Sequence, residues 1–280
     1  GSVKFGRPSA VREVLSSPRR GFRDFNILLS LFTLLLLVML LELALAWPYG
    51  HVMHWRMFTG VLPLGLWQLM TTFGDARWPL AIALLLVLPD RRLLLVYLIA
   101  LLFGWLAVRG LKQWFLVPRP GLLLPMLDPS LSSHEATSRN SFPSSHTMVV
   151  FSFFGVMAAY FPFWKTWPVL AMAFLVAVSR IGIGAHWPVD ILGGGLVGIV
   201  AAVMAVGLWH RVRFPLPTPV MVGLILVVAA VVATMPWIDA GYPQTQALRL
   251  AGALVGIVAA VHAAVILRRA GNRMAIQAEV

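Results

Sequence analysis

The sequence predicts an all-α protein, a polytopic bundle of transmembrane helices. Of its 280 residues, 60% are hydrophobic and only 11% are charged, and its mean hydropathy is +0.86. A soluble domain normally carries about 25% charged residues. Several apolar runs also approach the roughly 20 residues that are needed to cross a hydrocarbon core ~30 Å thick. Together these observations exclude a soluble fold.

We expect about eight spans. A short apolar run, Trp78–Leu88, forms the second span, and the segment Leu64–Asp75 before it either extends this span or forms an interfacial helix. The other seven spans are long apolar runs: Phe25–Trp47, Arg92–Trp114, His146–Phe161, Trp167–Ile181, Pro188–Trp209, Val220–Trp237 and Leu248–Leu267.

The cations that flank these spans support the count and give the orientation. With eight spans they all fall on one side of the membrane: Arg19, Arg20, Arg23, Arg91, Arg92, Lys165, Arg211, Arg213, Arg268, Arg269 and Arg273. Because Lys and Arg are concentrated in cytoplasmic loops, we expect residues 1–24 to be a cytoplasmic N-terminal segment and residues 269–280 a cytoplasmic tail. Omitting the second span would put Arg91 and Arg92 on the wrong side.

Charge and cysteine content exclude other classes of protein and site. The net charge of +12 is explained by cations that flank spans and face anionic headgroups, so we expect membrane lipids and no nucleic acid as partners. The sequence contains no cysteine, which excludes disulfides, thiolate metal sites and a cysteine nucleophile.

An unusual set of polar residues lies at or near the extracytoplasmic ends of the third to sixth spans. A single arginine there is more often an interfacial anchor that reaches the headgroups. Polar and ionisable groups at membrane depth are costly, however, so a whole set of them marks a functional site. The set is Lys112, Arg119, Arg139, Ser144, Ser145, His146, Arg180, His186 and Asp190.

The segment His186–Asp190 has the features of an activated histidine. His186 and Asp190 are four residues apart and can share a helix face, and Pro188 suits the first turn of that helix. A carboxylate that binds one imidazole nitrogen fixes the tautomer and leaves the other nitrogen basic, so His186 could act as a nucleophile. The alternative is a structural His–Asp pair that closes a helix end.

The segment Pro143–His146 indicates an anion site. Small hydroxyl residues such as Ser144 and Ser145 suit a helix N-terminus, where free N–H groups and the helix dipole favour an anion. At that point His146 could protonate a leaving oxygen as a general acid. The alternative is a plain N-cap followed by an incidental histidine.

Three cations complete the predicted chemistry. The Arg119 and Arg180 guanidinium groups match phosphate oxygens, and with Lys112 they would neutralise charge that develops on phosphorus. Ser179 could add a hydroxyl. Only Asp190, among ten acidic residues, belongs to the site. We therefore expect no metal and no cofactor.

Together these segments resemble the type 2 phosphatidic acid phosphatase (PAP2) superfamily. Its pattern is K-x6-R-P, then P-S-G-H, then S-R-x5-H-x3-D. The order and spacing match Lys112–Pro120, Pro143–His146 and Ser179–Asp190, and the resemblance covers roughly residues 75–210. One position departs, because Ser145 stands where the family has glycine; this change could alter the geometry of the phosphate site.

The resemblance implies a role for each matching residue. His186 would attack phosphorus and form a phospho-histidine, and Asp190 would orient it. His146 would protonate the leaving group and then help to activate water. The phosphate would be held by Lys112, Arg119, Ser144, Ser145 and Arg180. Arg139 lies in the loop that should select the headgroup, and it could contact a second phosphate.

The resemblance also divides the chain. Residues 25–210 would be a six-helix PAP2-like catalytic core, and residues 218–268 an additional C-terminal transmembrane hairpin. We interpret Gly252 and Gly256 of this hairpin, and the glycines 193–195 and 198 of the sixth span, as sites of close helix packing.

The function implied is that of a lipid phosphatase in a bacterial inner membrane, with its active site facing the periplasm. Its substrate would be a phosphomonoester or diphosphate lipid, such as undecaprenyl diphosphate, phosphatidylglycerophosphate, phosphatidic acid or lipid A. An alternative is a lipid phosphotransferase that moves phosphate from undecaprenyl diphosphate to lipid A. A non-catalytic channel, transporter or scaffold is a third hypothesis, which the motifs disfavour.

Overall fold

The structure is a computed structural model that describes residues 19–46, 60–86, 91–123, 140–212, 217–237 and 241–278. All regular structure in these ranges is helical, which confirms the predicted all-α class. The α-helices are α1 (Arg19–Ala46), α2 (Leu64–Thr72), α3 (Arg77–Leu86), α4 (Arg91–Phe115), α5 (Pro120–Leu123), α6 (Ser145–Tyr160), α7 (Phe163–Gly182), α8 (Pro188–Val212), α9 (Thr218–Ala233) and α10 (Gln246–Ala278).

The helices agree with a multi-pass membrane protein. Among the residues that the structure describes, six helical stretches are long and apolar enough to cross a membrane, and they coincide with six of the eight predicted spans. The second and fourth predicted spans contain shorter apolar helices, α3 and α6. Helix α6 is buried along almost its whole length, because α1, α4, α7 and α8 pack around it.

The region of the second predicted span contains two separate helices. Helix α2 ends at Thr72 and α3 begins at Arg77, and α2 packs along α7. At the break, the Asp75 carboxylate accepts a hydrogen bond from the backbone N–H of Arg77 at 3.0 Å and forms an ion pair with its guanidinium at 2.7 Å. Asp75 thereby satisfies a free N–H group at the start of α3.

Glycines allow α8 to approach α6 closely. A Cβ atom at Gly194 would lie 2.5 Å from the Ser144 carbonyl oxygen, and one at Gly198 would lie 2.6 Å from the Met148 carbonyl oxygen. On the α6 side, a Cβ at Gly155 would lie 2.6 Å from the Ala202 Cβ. The predicted role of the glycines of this span in close packing is confirmed.

This contact gives a prediction about stability. Gly198→Ala should lower the free energy of unfolding by about 1–3 kcal/mol, because the new methyl group would overlap the α6 backbone. Thermal unfolding of the purified protein in detergent measures the loss. Gly207→Ala in the same helix is the matched control, since a Cβ there meets nothing within 4 Å. Equal melting temperatures for the two variants would contradict the prediction.

The C-terminal hairpin packs on the core. Helices α9 and α10 contact each other and α3, and they share one buried apolar cluster with α3, α4, α6 and α8. Cβ atoms at Gly252 and Gly256 would meet the Trp78 ring at 2.7 Å and Val232 at 2.4 Å. These two glycines therefore serve close packing within the chain, as predicted.

Two helices extend beyond their predicted spans. Helix α1 begins at Arg19 rather than Phe25, and α10 continues to Ala278 rather than ending at Leu267. Most of the predicted tail, residues 269–280, is thus a continuation of α10. Residues 1–18 of the predicted N-terminal segment lie outside the described residues.

Candidate active site

The predicted site residues are carried by helix ends that meet at one end of the bundle. Lys112 lies in the last turn of α4 and Arg180 in the last turn of α7. Ser145 and His146 begin α6, and Asp190 lies in the first turn of α8. Because these helices alternate in direction, the ends of four helices, from three separated segments of sequence, come together.

A tight turn between α7 and α8 places His186. The Arg180 carbonyl accepts hydrogen bonds from the backbone N–H groups of Ala185 and His186, at 3.0 and 3.2 Å. Gly184 has a φ of +69°, which a residue with a side chain rarely adopts. The turn therefore holds His186 close to Arg180, and both side chains are buried, 2% and 1% exposed.

His186 and Asp190 form the pair that their spacing predicts. The His186 Nδ1 lies 3.3 Å from the Asp190 Oδ2, and the backbone N–H of Trp187 donates to the same oxygen at 2.8 Å. The Asp190 backbone carbonyl accepts from the Ser144 N–H at 3.0 Å, which ties the start of α8 to the start of α6. The carboxylate is fully buried, so its position is fixed from several sides.

Ser141 contacts both His186 and Asp190, although its sequence position did not predict this. Its hydroxyl donates to the Asp190 Oδ2, and its Oγ lies 3.4 Å from the His186 Nδ1. Because the Ser141 proton goes to Asp190, the His186 Nδ1 faces two acceptors and carries the ring proton. The Nε2 then has a free lone pair. A serine in a loop before the motif gave no periodic or spacing signal.

Backbone contacts place the cations around His186. The Lys112 ammonium donates to the carbonyls of Asn140 and Ser141, the latter at 3.4 Å. The segment that carries Arg119 is held on both sides: the Trp187 indole N–H donates to the Pro118 carbonyl at 2.8 Å, and the Gly121 N–H donates to the Gly184 carbonyl at 3.3 Å.

The surroundings of His186 keep its ring neutral. Burial lowers the pKa of His186 well below its usual value, and the nearby charges of Arg119, Arg180, Lys112 and His146 lower it further. A neutral imidazole with its proton on Nδ1 is the form that can attack an electrophile through Nε2.

The start of α6 has the predicted helix N-terminus. Ser144 is the N-cap: its Oγ accepts from the Thr147 backbone N–H at 3.4 Å and from the Thr147 hydroxyl at 3.1 Å. With its backbone N–H bonded to Asp190, Ser144 has only its hydroxyl proton left for an anion. Ser145 and His146 are half-buried in the first turn, and their predicted contacts with phosphate and leaving group stay predictions.

Two candidates remain: Ser179 makes a contact that was not predicted, and Arg139 is not tested. The Ser179 hydroxyl donates to the Val176 carbonyl of its own helix at 2.6 Å, so its proton is used within α7. Arg139 lies outside the described residues, and its contact with a second phosphate stays a prediction.

Comparisons with known proteins find one family model and several relatives that match part of the chain. Residues 93–214 match the model of the PAP2 superfamily. The chain is 35% identical over 71 residues to the putative undecaprenyl-diphosphatase YbjG of Escherichia coli K12, a match that covers 25% of this chain and 36% of the relative. It is 39% identical over 84 residues to the bacitracin transport permease protein BcrC of Bacillus licheniformis, covering 30% and 39%.

A longer match is to the lipid A 1-phosphatase of Rhizobium johnstonii, with 29% identity over 154 residues, 46% of this chain and 61% of the relative. The chain thus covers less than two thirds of the length of each of these relatives. No solved structure matches the chain significantly.

Proposed function

We propose that this chain, whose residues 93–214 match the model of the PAP2 superfamily, is an integral membrane phosphatase that releases phosphate from a lipid phosphomonoester or diphosphate. One observation carries the proposal: the buried His186 has its Nδ1 3.3 Å from the Asp190 carboxylate, at the end of the bundle that also carries Lys112, Arg119 and Arg180. A histidine nucleophile close to positive charge suits attack on an anionic phosphorus centre.

The reaction proceeds in two steps. The Nε2 of His186 attacks phosphorus, a P–N bond forms, and the bond from phosphorus to the leaving oxygen breaks. His146 gives its proton to that oxygen. Water then attacks the phospho-histidine, His146 takes the proton of the water, and the P–N bond breaks to release phosphate.

The neighbouring residues lower the barrier of both steps. When the His186 imidazole binds phosphorus it gains positive charge, which the Asp190 carboxylate balances through Nδ1–H. Lys112, Arg119 and Arg180 neutralise the charge on the phosphoryl oxygens. Because the chain's own cations supply this charge, the reaction needs no metal ion.

The names of relatives support the substrate class, and the positions of cations at the helix ends support the side of the membrane that the active site faces. Relatives are named as phosphatases of undecaprenyl diphosphate and of lipid A, so we propose a substrate of this class, with phosphatidylglycerophosphate and phosphatidic acid as the other candidates. Arg91, Lys165 and Arg211 lie at the helix ends opposite His186. By the preference of cations for the cytoplasmic side, the active site faces the periplasm of a bacterial inner membrane.

The proposal is tested by phosphate release from purified protein in detergent, with EDTA present. The substrates are undecaprenyl diphosphate, phosphatidylglycerophosphate, phosphatidic acid and lipid A. We expect release from at least one of them. No release from any of the four by a folded, monodisperse sample would contradict a phosphatase, and addition of a second lipid as acceptor would then test phosphotransfer.

Ser141→Ala should lower kcat by about tenfold to a hundredfold while KM changes little, because the lost hydroxyl orients the His186–Asp190 pair and not the lipid. Steady-state kinetics on the best substrate measures both constants. The matched control is Ser152→Ala. Ser152 is also fully buried, but its hydroxyl bonds the Val149 carbonyl of its own helix. Equal kcat values for the two variants would contradict a positioning role for Ser141.

The lowered pKa of His186 predicts the acid limb of the pH profile. Only the neutral ring attacks, and a lowered pKa means that the ring gains its proton at a pH below the ordinary imidazole value of about 6.5. The value of kcat/KM should therefore stay high as the pH falls through 6.5 and decline below it. Profiles with a monophosphate and a diphosphate lipid separate enzyme from substrate ionisation. A shared limb centred above pH 6.5 would contradict the expectation.

A further inference from the structure

Helix α2 contacts the active site, although it precedes in sequence the residues that match the family model. Thr71, in the last turn of α2, accepts a hydrogen bond from the Arg180 Nη1 at 2.7 Å. Both side chains are 1% exposed. The two residues are 109 positions apart in the chain, and Thr71 precedes the matched residues 93–214.

A hydroxyl acceptor on one guanidinium nitrogen limits how the whole group can turn. The guanidinium is planar, and its N–H donors have fixed directions. When Nη1 is bonded to Thr71, the guanidinium plane and the directions of the remaining donors are restricted to a narrower range. Arg180 can then meet phosphate oxygens without first ordering its side chain, which is the cost that preorganised sites avoid.

We propose that Thr71 is a positioning residue of the phosphate site and that α2 is a working part of the active site. The proposal rests on the proposed phosphatase function. In this proposal Thr71 contacts no reacting atom. It acts through Arg180, because it orients the Arg180 guanidinium toward the phosphoryl group.

A second contact of the same segment supports this role of α2. Gly74, in the break after α2, lies against His146, and a Cβ atom there would be 2.7 Å from the His146 Cδ2. Nearer the start of α2, the Trp67 ring packs on Gly182, and a Cβ atom at Gly182 would lie 2.6 Å from the Trp67 Cγ. The segment is thus fitted closely along α7 and against both Arg180 and His146.

The test compares two isosteric variants of neighbouring threonines. Thr71→Val removes the hydroxyl that faces Arg180. Thr72→Val is the matched control, because the Thr72 hydroxyl donates to the Gln68 carbonyl of its own helix at 2.8 Å. Thr71→Ser keeps the hydroxyl and should rescue the site. The readouts are kcat and KM for the lipid, the inhibition constant of orthovanadate as a phosphate mimic, and the melting temperature.

For Thr71→Val we expect kcat/KM to fall about tenfold and vanadate inhibition to weaken about tenfold, together with a lower melting temperature, because the buried Arg180 N–H loses its acceptor. The loss of vanadate inhibition is the readout that separates a positioning role from a purely structural one. Thr71→Ser and Thr72→Val should stay within about twofold of the wild type on every readout. A purely structural bond would lower the melting temperature and leave vanadate inhibition unchanged. If Thr71→Val does not fold, Thr71→Ala removes the same hydroxyl.

Two results would overturn the proposal: vanadate inhibition of Thr71→Val within twofold of the wild type, or an equal loss in Thr72→Val. Failure of the proposed function is distinct, because it shows as a wild type that releases no lipid phosphate. Vanadate binding, measured by thermal stabilisation, then decides the role of Thr71 alone. A wild type that shows neither turnover nor vanadate binding overturns both.

Discussion

His186→Ala should lower the kcat of phosphate release by about 10⁴-fold or more, the scale seen when a catalytic nucleophile is removed. The loss is large because water would have to attack the phosphorus directly, without the covalent step. Steady-state phosphate release from the best lipid substrate measures it. The expected residual rate comes from binding and charge alone, since Lys112, Arg119 and Arg180 remain.

A histidine outside the site provides the control for this variant. His262 lies exposed on α10, so His262→Ala removes an imidazole from the same bundle without touching the cations. It should retain wild-type kcat and melting temperature. A His186→Ala variant that is folded and keeps more than about a hundredth of the wild-type kcat would contradict a histidine nucleophile.

His146→Ala should lower kcat by about 10²–10⁴-fold for a phosphomonoester lipid, the range typical of a lost general acid. The leaving group of such a lipid is an alkoxide, which leaves poorly without a proton, whereas p-nitrophenolate leaves readily without one. The loss should therefore be much smaller when the first step is followed with p-nitrophenyl phosphate, measured as the initial burst of nitrophenolate. An equal loss in the first step with both substrates would contradict the acid role and leave His146 a structural residue.

The contact between His186 and Asp190 could be predicted from sequence because both residues lie in one short segment. His186 and Asp190 are separated by one turn, with Pro188 at the first position of α8, so local geometry alone predicts their contact. Lys112 and Arg180 were found from their position at span ends, because the alternation of spans decides which ends share a membrane face.

The residues that the sequence analysis missed are joined to the site by long-range contacts. Ser141 reaches Asp190 across 49 positions and Thr71 reaches Arg180 across 109. A single hydroxyl residue in a loop or an apolar helix has no periodicity and no partner at a fixed spacing. Only the packing of α2 along α7, and the path of the loop before α6, brings these hydroxyls to the site.

The helix ends that differed from prediction have a related cause. Hydropathy marks the part of a helix that lies in lipid, not the point where backbone hydrogen bonding stops. Helix α10 continues past Leu267 through Arg268 and Arg269, residues that a hydropathy window excludes but that are good helix formers. Between α2 and α3 the helix is interrupted, because Gly74 and Asp75 lie between the two helices. Apolar composition alone does not mark such an interruption.

Detection of the proposed phospho-histidine tests most directly the central claim that His186 is the nucleophile. The enzyme is mixed with a lipid carrying ³²P in its terminal phosphate and quenched in alkaline denaturant within the first turnovers. A phospho-histidine is stable in alkali and labile in acid, so we expect acid-labile label on the peptide that contains His186 and none in His186→Ala. Turnover without labelled protein, or label on a different residue, would contradict the account.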